Sequence, residues 1–142
     1  MLTCLEAGAS ATGCTMRHEW DDHPYSDMID NGPMVGAYVA NMATLGRQVR
    51  DPREVGAGVV GSTDMGNVSY LVPSIHPMVQ VAPAGVSIHT PEFAGHARSE
   101  AGDRAVLDGA KALAMTMVDL WAADGLLDRA TTSHRADVAA RA

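Results

Sequence analysis

From Asp103 to Trp121 the chain spells out a helix that cannot stand alone. Val106, Leu107, Ala110, Leu113, Ala114, Met117, Val118 and Trp121 recur with a 3.6-residue period. They form one wide apolar face, uninterrupted until Gly125. A helix with such a face has to bury it against another layer. The expected partner is a β-sheet, which points to an α/β fold.

The flanking segments supply candidates for that fold. Leu2 to Thr12 is Ala-rich and reads as a short helix, with Thr3 and Glu6 spaced as a capping box and Gly13 at its end. Cys14 to Trp20 alternates apolar and polar residues, the pattern of a half-buried strand, and Asp21-Asp22-His23-Pro24 closes it as a turn. Asp30-Asn31-Gly32-Pro33 breaks the chain and starts a second helix, along which Met34, Val35, Tyr38, Met42 and Leu45 share a face until Gly46. Arg47 to Glu54 is a charged connector. Val68 to Val72 and Met78 to Val81 are rich in β-branched residues, lie between Gly and Pro, and read as short strands. Asp128 to Ala142 is polar and Ala-rich, expected to be a frayed helix or a disordered tail.

Charge and composition remove several classes of function. A formal net charge of −7 excludes the basic footprint that nucleic acids and anionic membranes require. No apolar run approaches the roughly 20 residues of a membrane span. With 46% hydrophobic residues the chain is globular, and with one phenylalanine its nine methionines are expected to serve as packing. Cys4 and Cys14 form no CxxC, which fits reduced thiols in a cytoplasmic protein. Gly56 to Gly61 reads GxGxxG, but a charged loop precedes it and no helix pattern follows, so a dinucleotide site is not expected. No GxSxG or HExxH is present.

The polar chemistry is concentrated between residues 61 and 93, at the ends of the expected strands, where α/β folds build their sites. His89 follows an expected strand and precedes Thr90-Pro91, so it is either a metal ligand on a loop or a surface histidine. Asp64 and Asn67 either orient a substrate and its metal or close an Asx turn. His76, between Ile75 and Pro77, either donates to a substrate carboxylate or is a buried, hydrogen-bonded ring.

Three stretches carry a family resemblance: Gly61-Ser62-Thr63-Asp64-Met65-Gly66-Asn67-Val68-Ser69, then Val72-Pro73-Ser74-Ile75-His76-Pro77, then His89-Thr90. Together they resemble the C-terminal part of the zinc-dependent amidohydrolases, the superfamily of aminoacylases, p-aminobenzoyl-glutamate hydrolase and related dipeptidases. The nearest branch is that of the aminobenzoyl-glutamate and β-alanyl-lysine dipeptidases. The likeness runs, more loosely, from Leu5 to about Leu120.

The resemblance implies the C-terminal part of an α/β/α catalytic domain, preceded by the last helix and strand of an inserted α+β lid or dimerisation domain. Residues 1–22 would end the lid, residues 23–127 would belong to the catalytic domain, and residues 128–142 would form a polar tail. It implies hydrolysis of amide bonds in N-acyl amino acids or dipeptides. Zinc would polarise the carbonyl and activate water, and a glutamate would shuttle protons. His89 would be a metal ligand, with Asp64, Asn67 and His76 on the substrate side. In the family most metal ligands and the glutamate base lie in an N-terminal half with His-x-Asp and Glu-Glu motifs, which this sequence lacks. The expectation is therefore a C-terminal fragment that does not hold zinc or run the reaction by itself, has an N-terminal half as partner in trans, and forms homo-oligomers. The alternative is a non-catalytic remnant serving as a binding or assembly piece.

Overall fold

The structure is a computed structural model that describes residues 1–50 and 63–141. The GxGxxG run, part of the charged connector, and Gly61 and Ser62 lie outside the described residues. Six helices follow one another among the described residues: α1 (Leu2–Ala11), α2 (Gly32–Thr44), α3 (Met65–Leu71), α4 (Pro91–Ala97), α5 (Glu100–Ala122) and α6 (Leu126–Ala139).

Local sequence accounts for most of their boundaries. Asn31 caps α2 by accepting from the Met34 amide, and Pro33 sits in the first turn, where its missing N–H costs nothing. Gly46 follows α2 in the left-handed conformation at φ 75°. Ser99 caps α5, accepting from the Gly102 amide, with Glu100 and Asp103 in the first turn where the helix dipole favours them. Thr90 caps α4 by accepting from the Phe93 amide. The expected capping box at Thr3 and Glu6 does not form: Met1 is the N-cap of α1, with no side-chain hydrogen bond.

The core is built on α2 and α5. Tyr38 and Met42 meet Ala112, and Leu45, Ile75 and Val79 pack around them. A single methyl group at position 112, fully buried, lets the helices approach closely at that point. Polar links reinforce the same seam. The Asn41 side chain donates to Thr116 Oγ1 at 3.2 Å and to Asp119 Oδ2 at 2.8 Å. Arg47 donates from Nε to Asp108 Oδ2 at 2.7 Å and from Nη1 to the Gln80 carbonyl. Helix α6 packs on both α2 and α5, and α4 packs on α5.

Three local expectations differ from the structure. Residues 68–71, read as a strand, belong to helix α3. Ser69 explains part of the difference: its hydroxyl donates back to the Gly66 carbonyl and accepts from the Ile29 amide, which suits a helical turn wedged against residues 26–29. Neither 14–20 nor 78–81 is paired as a strand; the β interaction among the described residues is an isolated parallel bridge between Asp30 and Ser74. The segment from Asp128, expected to fray, is most of α6, anchored by buried Leu126 and Ala130.

The outer face of α5 is open. The residues that pack inward are Gly102, Ala105, Ala112 and Thr116, whereas Val106, Leu107, Leu113, Met117, Val118 and Trp121 are exposed. The helix expected from periodicity is present, and no sheet covers its apolar stripe among the described residues. No helix among them is long and apolar enough to cross a membrane.

Candidate functional site

The four candidate residues fall on two neighbouring stretches, one on α3 and one running from Val72 to α4. Asp64 is the exposed N-cap of α3, and its side chain makes no capping bond; Thr63 donates to it at 3.4 Å. Asn67, one turn into the helix, is engaged at both ends of its amide. It accepts from the Ser26 amide at 2.9 Å and donates to the Pro24 carbonyl at 3.1 Å. That clasp fixes α3 to the segment before α2. The Asx turn weighed for this pair is thus replaced, at Asn67, by a bond reaching about 40 residues back along the chain.

His76 is exposed, which removes the buried-ring alternative. His89 is exposed too, and its backbone is unusual. It is the one non-glycine residue among the described residues with positive φ, at 63°. A side chain in the left-handed region costs about 1–2 kcal/mol, and such strain tends to sit where a side chain must be aimed. Local bonds hold the conformation. Thr90 donates to the Ser87 carbonyl at 2.8 Å while accepting from the Phe93 amide, so the residue after His89 is locked as a helix cap. The His-Thr-Pro order therefore has a structural reason: a projecting ring, a cap and a first-turn proline.

No hydrogen bond joins any two of Asp64, Asn67, His76 and His89. Among the described residues no three His, Cys, Asp or Glu side chains come together as a metal-holding group. A catalytic zinc takes three protein ligands and keeps one position for water. His89 offers one donor, so the described residues do not by themselves fit a zinc ion, and no step through a metal is derived from them.

Two further constellations carry no signal in the sequence pattern. Tyr70, on α3, donates to Asp27 Oδ1 at 2.6 Å, and Arg141 approaches Asp27 Oδ2 at 3.5 Å. The Tyr70 hydrogen bond, helped by Arg141, holds the Asp27 carboxyl below its ordinary value. The same bond pushes the Tyr70 phenol up. His134 on α6 donates from Nε2 to the Ser69 carbonyl at 2.9 Å, the carbonyl being able only to accept. Helix α6 is thereby tied to the helix that carries Asp64 and Asn67. Separately, an open cleft of about 610 Å³ is lined by Arg47, Gln80, His96, Ser99, Glu100 and Arg104 among others. None of the four candidate residues lines it. Both of its arginines are already paired, Arg47 with Asp108 and Arg104 with Glu100.

No protein-family model matches the chain. Two curated proteins do resemble it. A Mus musculus protein named Xaa-Arg dipeptidase is 39% identical over 125 residues, covering 88% of this chain and 29% of the relative. A Homo sapiens protein of the same name is 36% identical over 117 residues, covering 82% and 27% respectively. The chain thus spans less than a third of the length of the curated relatives it matches. In a chain of 142 residues a stretch covering 125 leaves at most 17 outside it, so the first match contains all of Asp64, Asn67, His76 and His89.

Proposed function

We propose that this chain contributes to the hydrolysis of peptide bonds in dipeptides, with a C-terminal arginine as the preferred substrate feature. The observation that carries the reading is the 39% identity to an Xaa-Arg dipeptidase across a stretch that includes every candidate site residue. The strained, projecting His89 supports it from the geometry. The finer reading places the chain in the C-terminal part of a metal-dependent amidohydrolase with an α/β/α catalytic domain. His89 would give one of the metal's donors, and the others would come from residues not among those described. Asp64 and His76, exposed and with no long-range bond among the described residues, would face the substrate. Asn67 would act chiefly by fixing α3 against residues 24–26.

The test is a chimera in which the matched stretch of the mouse relative is replaced by the same stretch of this chain. Hydrolysis of a dipeptide ending in arginine is expected, with His89→Ala reducing kcat/KM at least 100-fold and leaving the melting temperature unchanged or higher. A folded chimera that fails to cleave, or one indifferent to His89→Ala, sinks the proposal. Asp64→Ala and His76→Ala are expected to raise KM in the same background; unchanged kinetics would remove those two roles.

A further inference from the structure

Helix α3 is short, and it stops for a reason written in the next turn. Pro73 disfavours helical backbone at the residue before it, and Val72 is extended, at φ −142° and ψ 152°. The last helical bond runs from the Val72 amide to the Val68 carbonyl. The next carbonyl, that of Ser69, would take its donor from residue 73, where proline has no N–H. Ser69 is fully buried, so this carbonyl is cut off from bulk water and needs a partner within the protein. The donor comes from 65 positions further along: His134 Nε2 lies 2.9 Å from the Ser69 carbonyl. His134 thus caps a helix to which it does not belong. The same stripe of α6 makes two more ties. Ala130, one turn before His134, receives the Asn31 amide, and Arg141, two turns after it, meets Asp27, the partner of Tyr70 on α3.

We propose that His134 is a positioning residue for the substrate side of the site, holding α3 where Asp64 and His76 meet a dipeptide; the role rests on the hydrolase reading given above. Two placements favour it. The first is that Asp64 and His76 flank the element His134 holds. Asp64 is the N-cap of α3, and His76 follows the end of the helix by five positions. Between the helix and His76 the chain is pinned again at Ser74, whose carbonyl accepts from the Asn31 amide. The path to His76 is therefore set by where α3 stops. The second is the direction of the restraint. The bonds from Asn67 to Pro24 and Ser26, and from Ser69 to Ile29, all hold α3 to one segment before α2. His134 holds it from α6, and without that bond α3 is free to pivot about the segment. His89, which precedes α4, makes no hydrogen bond to α3 among the described residues, so its place does not depend on His134. Loss of His134 therefore weakens substrate binding and spares the bond-breaking step, which is a rise in KM at nearly constant kcat.

Two measurements test it. Hydrogen exchange followed by mass spectrometry on the full chain reads α3 itself. His134→Ala is expected to speed exchange across residues 65–72 by about tenfold or more while α5 is unchanged. His134→Gln, whose side-chain amide keeps an N–H donor, is expected to restore the original rate. Kinetics are read in the chimera, extended to carry this chain through residue 141. There His134→Ala should raise KM about fivefold or more with kcat held within about twofold, and His134→Gln should return KM to within about twofold of the parent. A merely structural role would lower the active fraction, and so kcat, at unchanged KM. Unchanged exchange, unchanged KM, or a glutamine variant as impaired as the alanine one overturns the proposal. Should His134→Ala fail to fold, His134→Leu keeps the bulk without the donor and is judged by the same outcomes. A parent chimera that cleaves nothing sinks the hydrolase reading and this role with it, whereas an active parent indifferent to His134→Ala sinks this role alone.

Discussion

The side-chain amide of Asn31 donates to the carbonyl of Ala130 at 2.8 Å, joining the start of α2 to the middle of α6. The same residue caps α2 through its carbonyl oxygen, and its backbone amide donates to Ser74. It is 1% exposed, so all three bonds lie out of water. One side chain thus sets the angle at which α2 leaves the loop and the place where α6 lands.

Asn31→Ala removes the cap and one of the donors to the Ala130 carbonyl, which keeps its place in the α6 helix. The cost is expected to be about 1.5–2.5 kcal/mol, from a cap worth about 1 kcal/mol and a hydrogen bond worth about 0.5–1.5 kcal/mol. Urea unfolding followed by circular dichroism measures it. Asn31→Asp keeps the cap but sets a buried carboxylate oxygen against the Ala130 carbonyl, so it is expected to be no more stable than the alanine variant at neutral pH.

The Asp27–Tyr70 pair gives the fold a pH dependence at both ends. The Asp27 carboxyl is depressed, so its contribution is complete above the ordinary carboxylate value of about 4 and is lost as pH falls through the lower folded value. The Tyr70 phenol is raised, so its contribution is complete below about 10 and is lost as pH rises through the higher folded value. Melting temperatures across the pH range should show Asp27→Asn flattening the acid side. Tyr70→Phe should flatten the alkaline side. A parallel downward shift at all pH values in both variants would contradict this account.

His89→Gly separates strain from function. Glycine accepts φ 63° without a Cβ clash, so the variant is expected to be more stable by about 0.5–1 kcal/mol, part of the relief being lost to chain entropy. In the chimera the same change should abolish dipeptide cleavage. A gain of stability with loss of turnover is what a residue held for its chemistry predicts. Loss of both would assign His89 to the fold alone.

How much of this was legible in the sequence depends on whether the signal was local. Helices α1, α2 and α5 were readable because Asn31, Pro33, Gly13 and Gly46 punctuate them and α2 and α5 carry a 3.6-residue period. Helix α3 was not. Val68 to Val72 has strand-like side chains, and what overrides them is distant: the Ser69 bond to Ile29 and the close approach at Gly66, where any Cβ would overlap the Ser26 carbonyl. Gly66 stands in the motif that drew attention as a site, yet its own reason is packing. Helix α6 was obscured because Leu126 and Ala130 are its only buried residues and its ties run through Asn31, Ser69 and Asp27. His89 was singled out from the His-Thr pair, whereas its left-handed backbone has no sequence signature in a histidine.

The bond between Asn31 and Ala130 also ties together distant parts of the sequence. It closes a loop of 99 positions, and loop-closure entropy must be met before the contact returns any stability. The start of α2 is therefore held in place by a residue far along the chain, in a segment whose composition advertises nothing of its importance.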